Sequence, residues 1–173
     1  DAVDDLITHV SPPGRMKIIK GIKGSVIIDD TYNSSPAAAE QAVIALKEIK
    51  HAKRKIAVLG DMLELGRFSA REHERIGELV AESVDILFTV GIRARKIAET
   101  ALEYGLTEKV IFQYDDVGKA GRELQNLIQS GDVILIKASQ GIRAEKMVEE
   151  IMQEPEKACE LLVRQDSAWQ IIK

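Results

Sequence analysis

Short apolar runs alternate along the chain with longer stretches in which apolar residues recur at helical spacing. The apolar runs predict strands over residues 16–20, 25–29, 55–59, 86–90, 110–112 and 132–137. The segment between the first two runs begins and ends with glycine, which predicts a hairpin there. The stretches between the later runs predict amphipathic helices.

Several residues mark where these helices begin and end. Pro36 opens the first helix, because its fixed φ suits a first helical turn. Ser69 and Glu72 stand three residues apart, which predicts a capping box at the start of the second helix. Gly105 is expected to end the third helix and Asp115 to cap the fourth.

The last predicted helices lie on either side of Pro155, over residues 143–154 and 156–164. From residue 25 onward, strands and helices therefore alternate. Continuous apolar strands between amphipathic helices indicate an α/β fold with a doubly wound, mostly parallel, Rossmann-like sheet and helices on both faces. The hairpin adds an antiparallel edge. A chain of 173 residues is long enough for one such domain with a full core.

Composition narrows the class of protein. A net charge of −4 and an aromatic content of 4% give no basic or stacking surface for nucleic acid, so no nucleic-acid partner is expected. No apolar run approaches the roughly 20 residues of a membrane span and no signal peptide opens the sequence, which predicts a soluble, cytoplasmic protein. The single cysteine, Cys159, excludes an internal disulfide, and we expect it to pack as a small apolar residue.

The residues with potential chemistry follow the strands. In an open α/β sheet, ligands bind beyond the carboxyl ends of the strands. The loops at that edge cover residues 29–35, 60–68, 91–93, 114–115 and 137–143. The loops that lead into the strands carry no comparable group of residues with potential chemistry. The sequence therefore predicts a ligand site along one edge of the sheet.

The first of these loops carries Asp29, Asp30, Tyr32 and Asn33, just before the helix that Pro36 opens. A carboxylate here can accept hydrogen bonds from both hydroxyls of a ribose, while Tyr32 and Asn33 can add stacking and hydrogen bonds. The helix start offers free N–H groups to a phosphate or carboxylate. An ordinary loop with an Asx-type cap explains the same residues equally well.

Two further loops carry candidate ligands. Lys137, Ser139 and Arg143 end the last strand and open the next helix, which is a plausible anion clamp. A tight turn whose charges reach solvent is the alternative. Asp61 and Glu64 are candidates for binding an amine, with ordinary loop charges as the alternative.

His73 lies on the apolar face of its helix, so we expect a half-buried, hydrogen-bonded side chain rather than a catalytic one. The sequence contains no G-x-x-x-x-G-K-[ST] phosphate loop, no G-x-G-x-x-G segment after a strand, no serine–histidine elbow and no paired-histidine metal motif. A sheet edge that resembles a nucleotide-binding site but lacks a phosphate loop indicates that this chain is part of a larger protein.

Four segments stand in order along nearly the whole chain: GRMKI from Gly14, IDDTYNSSP from Ile28, VLGDMLELG from Val58 and KASQGIRAEKMVEEI from Lys137. Together they resemble the C-terminal domain of Mur ligases, and specifically the type that joins D-alanyl-D-alanine to UDP-N-acetylmuramoyl-tripeptide in peptidoglycan synthesis. The Asp-Asp-Thr-Tyr-Asn stretch differs from the Asp-Gly-Ala-His-Asn-Pro that is usual in the related folylpolyglutamate synthases.

The resemblance implies an ATP-dependent ligase of three domains. The N-terminal domain would bind the UDP-sugar, and the central domain would bind Mg²⁺ and most of the ATP. This chain would be the third domain, with residues 1–14 as the lead-in and residues 15–173 as the domain itself. Its partners would be the two other domains, ATP, D-alanyl-D-alanine and the UDP-linked tripeptide. Alone it would hold no catalytic residue and no metal site, and it would be inactive.

By the same resemblance, Asp30 would contact the ATP ribose and Arg15 would lie near the phosphates. Tyr32 and Asn33 would line the nucleotide from this side.

The resemblance also implies an acceptor site. Lys137, Ser139 and Arg143 fall where the family binds part of the acceptor, and Asp61 and Glu64 are the further candidates for that site.

Ala138 departs from the family pattern, in which glycine is expected after the lysine, and its methyl group could narrow the loop. Two alternatives stay open. One is a stand-alone, non-catalytic module that binds another small anion or nucleotide on the same edge. The other is a Mur-family ligase with a different acceptor.

Overall fold

The strands form the predicted α/β sheet. Residues 11–171 are described by a computed structural model, and within them six strands make one sheet. The strands are β1 (Lys17–Lys20), β2 (Val26–Asp30), β3 (Arg54–Gly60), β4 (Ile86–Val90), β5 (Ile111–Tyr114) and β6 (Asp132–Lys137). Their order is β1-β2-β6-β3-β4-β5, with β1 antiparallel to β2 and every other pair parallel. The doubly wound, mostly parallel sheet with an antiparallel edge is therefore confirmed.

Helices cover both faces of the sheet. They are α1 (Pro36–Glu48), α2 (Ser69–Ala81), α3 (Arg95–Glu103), α4 (Val117–Leu127), α5 (Glu145–Ile151), α6 (Ala158–Leu161) and α7 (Ser167–Gln170). Val43, Ile76 and Ile97 pack α1, α2 and α3 on one face, whereas Leu124 and Met147 pack α4 and α5 on the other. Strands β4 and β6 are buried at every position, which explains why their sequences are mostly apolar.

The caps of two helices differ from the sequence prediction. The capping box at Ser69 is wrong, because a 3₁₀ turn over Gly66–Phe68 runs directly into α2 and Ser69 already has helical φ and ψ. The cap of α4 is Asp116 rather than Asp115, since the Asp116 carboxylate accepts a hydrogen bond from Lys119 N at 2.7 Å. At α1 the prediction is confirmed, with Pro36 in the first turn.

The C-terminal helices are shorter than predicted. The expected helix over residues 143–154 reduces to α5, because a 3₁₀ turn over Gln140–Ile142 and a left-handed Arg143 (φ 62°) precede it. The expected helix over residues 156–164 splits into a 3₁₀ turn over Pro155–Lys157 and the short α6. Cys159 of α6 is exposed, so its predicted packing role is wrong; its neighbour Ala158 is buried instead.

In the span from residue 11 to residue 171, no helix is both long and apolar enough to cross a lipid bilayer. Residues 1–10, the greater part of the predicted lead-in, lie outside the described residues, as do residues 172 and 173.

The sheet topology positions the candidate site. Strand β6 lies between β2 and β3, and its chain continues to α5 on one face of the sheet. The chains leaving β2 and β3 continue to α1 and α2 on the opposite face. Neighbouring loops therefore diverge on both sides of the end of β6, and such a divergence leaves crevices where ligands bind in open α/β sheets.

Candidate functional site

Two cavities open at the carboxyl edge of the sheet, where the loops diverge. The first rim cavity has a volume of about 580 Å³ and is lined by Gly14, Arg15, Met16, Asp30, Tyr32, Asn33, Ser35, Ala38, Gln41, Ala42, Ala45 and Lys137. The second rim cavity has a volume of about 590 Å³ and is lined by Asn33, Ser34, Ser35, Leu63, Glu64, Leu65, Ser139, Gln140, Gly141 and Trp169. Both volumes lie within the roughly 300–1,000 Å³ of small-molecule sites.

A buried ion pair joins the ends of β2 and β6 at the first rim cavity. Asp30 and Lys137 are direct partners in the parallel register. Lys137 Nζ donates to Asp30 Oδ2 at 2.6 Å and to the Asn33 carbonyl at 2.9 Å. The Lys137 side chain is 2% exposed and that of Asp30 13%. Met16 N donates to the other carboxylate oxygen of Asp30 at 3.2 Å, so this carboxylate has a fixed position at the edge of the cavity.

The neighbouring carboxylate, Asp29, faces into the protein and organises the loop. Its Oδ1 accepts from the Thr31 hydroxyl at 2.6 Å and its Oδ2 from Gly14 N at 3.0 Å. Burial raises the pKa of Asp29 above its ordinary value, although the hydrogen bonds from Thr31 and Gly14 favour the charged form and oppose that rise. Gly14 is needed here, because it has φ +68° and a Cβ would lie 2.9 Å from Tyr32 N.

Arg15 and Tyr32 form the outer wall of the first rim cavity. The Arg15 guanidinium carbon lies 4.2 Å from the centroid of the Tyr32 ring, in a cation–π contact. The Tyr32 backbone N–H donates to the Gly14 carbonyl at 2.9 Å, which fixes the pair on the segment that Asp29 holds. Both side chains are exposed. The predicted residues Arg15, Asp30, Tyr32 and Asn33 are thus brought together on one cavity.

Ser139 joins three loops at the second rim cavity. Its hydroxyl donates to the Ser34 carbonyl at 3.3 Å and accepts from Leu63 N at 2.9 Å. Glu64 is exposed on the same cavity, in a left-handed conformation with φ 64°. The predicted residues Ser139 and Glu64 therefore share this cavity, whereas Lys137 lines the first one.

Asp61 was predicted to bind an amine of the acceptor, which requires a carboxylate that faces a cavity, and its environment is different. Its carboxylate is buried; Oδ1 accepts from Ala94 N at 2.7 Å, and Oδ2 lies 3.6 Å from Arg93 Nη1. It lines neither rim cavity. Asp61 thus holds the loop between β4 and α3, where Gly91 is required because a Cβ there would lie 2.4 Å from Asp61 Oδ1. Direct contact of Asp61 with an acceptor stays a prediction.

Arg143 also lines neither cavity. Its Nε donates to Glu145 Oε1 at 2.5 Å and its Nη1 to the Trp169 carbonyl at 2.8 Å. The other oxygen of Glu145 accepts from Arg164 Nη2 at 2.9 Å. We call this buried group the Arg143–Glu145–Arg164 triad. Its acceptor-binding role stays a prediction, and its observed contacts fix the C-terminal segment.

Arg164 extends these contacts to the loop after β2. It donates to the carbonyls of Thr31 and Tyr32, the latter at 3.1 Å. Sequence reasoning missed Glu145 and Arg164, because no local spacing signals the contact of Arg164 with Glu145, 19 positions away, or with the loop after β2, more than a hundred positions away. The described part of the tail packs on the domain, because the Trp169 carbonyl accepts from Arg143 and the Trp169 ring lies 5.2 Å from the Arg143 guanidinium carbon.

His73 has a structural role. It is fully buried; its Nε2 accepts from Met62 N at 3.0 Å, and its Nδ1 donates to the Ser69 carbonyl at 2.7 Å. The predicted hydrogen-bonded histidine is confirmed, although its burial is complete rather than half. It fixes the loop after β3 on α2.

The methyl group of Ala138 has a defined neighbour. A Cβ built on Gly60 would lie 2.5 Å from Ala138 Cβ, so the methyl fills the space that a side chain at Gly60 would need. The loops after β3 and β6 consequently pack directly against each other. Among the described residues, no group of three or more His, Cys, Asp or Glu side chains is arranged to hold a metal ion.

Comparison with known sequences finds relatives that are UDP-N-acetylmuramoyl-tripeptide–D-alanyl-D-alanine ligases. The UDP-N-acetylmuramoyl-tripeptide–D-alanyl-D-alanine ligase of Bacillus subtilis (strain 168) is 32% identical over 142 residues, which are 82% of this chain and 31% of that protein. The ligase of the same name from Mycobacterium leprae (strain TN) is 34% identical over 146 residues, 74% of this chain and 28% of that protein. The chain thus spans less than a third of these relatives.

Comparison with solved structures leads to the same group of ligases as comparison with sequences. A MurF ligase from Thermotoga maritima in complex with ADP superposes with a TM-score of 0.69 at 33% identity, covering 89% of this chain and 34% of that one. A MurF from Acinetobacter baumannii gives a TM-score of 0.68 at 30% identity, over 82% of this chain and 31% of that one. The family model described as Mur ligase, glutamate ligase domain, matches residues 14–140. The chain therefore belongs to the Mur ligase family, through the glutamate ligase domain of that family.

Proposed function

We propose that this chain is the C-terminal domain of an ATP-dependent ligase that adds D-alanyl-D-alanine to UDP-N-acetylmuramoyl-tripeptide. One observation carries the proposal: a chain of this family has two cavities side by side at the carboxyl edge of its sheet, one edged by a fixed carboxylate and the other mixed in polarity. The first rim cavity serves ATP and the second serves the dipeptide acceptor.

The first rim cavity suits a nucleoside polyphosphate. Asp30 is held at the edge by Lys137 and Met16 and keeps part of its carboxylate exposed, so it can accept hydrogen bonds from ribose hydroxyls. The exposed guanidinium of Arg15 lies beside it on the Tyr32 ring, where it can meet phosphate oxygens. Lys137 serves this site by holding Asp30, which differs from the acceptor contact expected from the sequence.

The second rim cavity suits a small peptide. Leu63 and Leu65 offer apolar surface for methyl side chains, while Ser139 and Gln140 offer hydrogen-bonding groups for peptide units. Glu64 is an exposed carboxylate on the same wall and can pair with the amine of the dipeptide.

The reaction has two steps. The terminal carboxylate of the tripeptide attacks the γ-phosphorus of ATP, which forms an acyl phosphate and releases ADP. The amine of the dipeptide then attacks the acyl carbon, and phosphate leaves from the tetrahedral intermediate. The first step depends mainly on positioning and charge neutralisation, and the second on proximity and orientation.

In this scheme the domain orients both substrates. Arg15 and Asp30 position the nucleotide, the second rim cavity presents the amine, and closure of the domain excludes water from the acyl phosphate. ATP and Mg²⁺ are bound mainly by a central domain of the same cytoplasmic polypeptide. The 173-residue chain alone is therefore expected to be inactive.

The test is ADP release by the full-length polypeptide that carries this chain, measured with and without D-alanyl-D-alanine. Asp30→Asn should raise the KM for ATP by about tenfold, because the neutral amide is a weaker acceptor for the ribose hydroxyls than a carboxylate. Asp115→Asn is the matched control, since Asp115 lies on the same edge, pairs with Arg95 and lines neither cavity. ADP release that does not depend on a dipeptide, or equal KM values for both variants, would contradict the proposal.

A further inference from the structure

We propose that Trp169 is a specificity-determining residue, whose indole closes the acceptor cavity to dipeptides with side chains larger than methyl. The Arg143–Glu145–Arg164 triad holds the indole in place. The inference rests on the proposed function, because it assigns the second rim cavity to the acceptor. It concerns residues of the C-terminal segment beyond residue 140, where the family match ends.

Trp169 is held from both sides. It is half-buried and lines the second rim cavity. Its backbone N–H donates to Asp166 Oδ1 at 3.3 Å, and its carbonyl accepts from Arg143 Nη1 at 2.8 Å. The guanidinium carbons of Arg143 and Arg164 lie 5.2 Å and 5.8 Å from the centroid of the indole. Backbone and ring are thus fixed by separate contacts.

The triad is built to resist displacement. Glu145 is fully buried, and each of its oxygens accepts from a different arginine. Removing one member of such a buried group leaves an uncompensated charge, which is strongly destabilising. Because Arg164 also donates to the carbonyls of Thr31 and Tyr32, the segment that carries Trp169 is fastened to the loop that lines the first rim cavity.

The lining of the cavity indicates which ligands fit. Trp169 and Leu63 are apolar and lie with Ser139 and Gln140 on one cavity, so the ligand class is a short peptide with small apolar side chains. A rigid indole in the wall limits the length of those side chains, whereas hydroxyl and amide groups serve the peptide units. Replacing the indole by a methyl group would open the wall to longer side chains.

The experiment compares kcat/KM for D-alanyl-D-alanine and D-alanyl-D-leucine in the full-length polypeptide. Trp169→Ala should reduce the preference for the smaller dipeptide by about tenfold, the scale of discrimination by apolar pocket contacts. Trp169→Phe should retain part of the preference, and the KM for ATP should stay within twofold in both variants. Tyr104→Ala is the matched control, because Tyr104 is an exposed aromatic residue on neither rim cavity.

A second readout needs no substitution. Trp169 is the only tryptophan, so its fluorescence in this 173-residue chain reports directly on the cavity. D-alanyl-D-alanine should shift the emission in a saturable way. An unchanged spectrum up to a dipeptide concentration equal to the KM of the full-length polypeptide would overturn the inference. An unchanged preference in Trp169→Ala would overturn it as well, while the proposed function would stand. If the wild-type enzyme uses no dipeptide, the proposed function fails and the inference fails with it.

Discussion

Lys137→Met removes the cation that holds Asp30 at the end of β2, while it keeps an unbranched, largely apolar side chain in the buried position. Lys137 is 2% exposed and Asp30 13%, so the carboxylate loses its partner in a poorly solvated site. Breaking a buried pair costs about 3–5 kcal/mol. Residual solvation of Asp30 and the remaining hydrogen bond from Met16 N place the expected loss near the lower limit, at about 3 kcal/mol.

Urea unfolding of the 173-residue chain, followed by circular dichroism, measures this loss as a change in the free energy of unfolding. The matched control is Lys96→Met, because Lys96 pairs with Glu99 at 3.1 Å on the surface of α3. Exposed ion pairs contribute little to stability, so this variant should stay close to the wild type.

The double variant Lys137→Met/Asp30→Asn tests whether the loss of stability in Lys137→Met comes from breaking its ion pair with Asp30. With the charge on Asp30 removed, the double variant should be more stable than the sum of the two single losses predicts, by at least about 1 kcal/mol. A loss below about 1 kcal/mol for Lys137→Met, or strict additivity in the cycle, would refute the role of Lys137 as the residue that holds Asp30.

Three further outcomes are expected. The pKa of Asp29, followed by carboxyl NMR, should lie above the ordinary aspartate value, and Thr31→Val should raise it further by removing a hydrogen bond to the charged form. Gly60→Ala should destabilise the chain by about 1–3 kcal/mol through overpacking, and Ala138→Gly should restore part of that loss by removing the methyl 2.5 Å from the new Cβ. An antibody against this chain should detect a polypeptide well above 19.1 kDa in source-cell lysate.

The sign of the Asp29 effect follows from linkage. A pKa raised in the folded state means that the folded chain binds the proton more tightly than the unfolded chain. The contribution of Asp29 to stability therefore falls as the pH rises from the ordinary to the raised pKa, and it stays constant above that interval. A pKa at or below the ordinary value, or one that Thr31→Val leaves unchanged, would contradict this account of Asp29.

The other two expectations have equally clear contrary results. Equal stability of Gly60→Ala and the wild type would show that the loops after β3 and β6 can separate without cost. A loss that Ala138→Gly does not reduce would place the clash elsewhere, at Ile142 or the Val90 carbonyl, which are the other atoms near that position. A native polypeptide of 19.1 kDa would favour a stand-alone binding module.

The sequence was most informative where burial is uniform. The bounds of β4 and β6 were predicted to the residue, because both strands are buried at every position and their sequences are short, mostly apolar runs. The start of α2 at Ser69 was predicted correctly, but its capping box was wrong, since a 3₁₀ turn and a helix share the same local pattern and the turn runs into the helix without a cap. The burial of Cys159 was also predicted wrongly, because a helix of four residues is too short for its sequence periodicity to show which side is buried.

Some features of the candidate site could likewise be predicted from the sequence, and others could not. Residues at or just after strand ends, such as Asp30 and Ser139, were correctly placed at the carboxyl edge of the sheet, because that edge can be read from the order of elements. The direction of a side chain at that edge could not be read, and Asp61 faces the loop between β4 and α3 instead of a cavity. The contact of Arg164 with the loop after β2 depends on the path of the C-terminal segment, which no spacing in the sequence encodes.

The most direct test of the proposed function is the mass of the product formed by the full-length polypeptide. The reaction contains UDP-N-acetylmuramoyl-tripeptide, ATP, D-alanyl-D-alanine and an equal amount of a competing single amino acid. We expect the nucleotide-linked product to gain the mass of the dipeptide minus one water, with one ADP formed for each product. A product that gains only the single amino acid, or no product in the presence of all substrates, would contradict the assignment of the second rim cavity to the dipeptide.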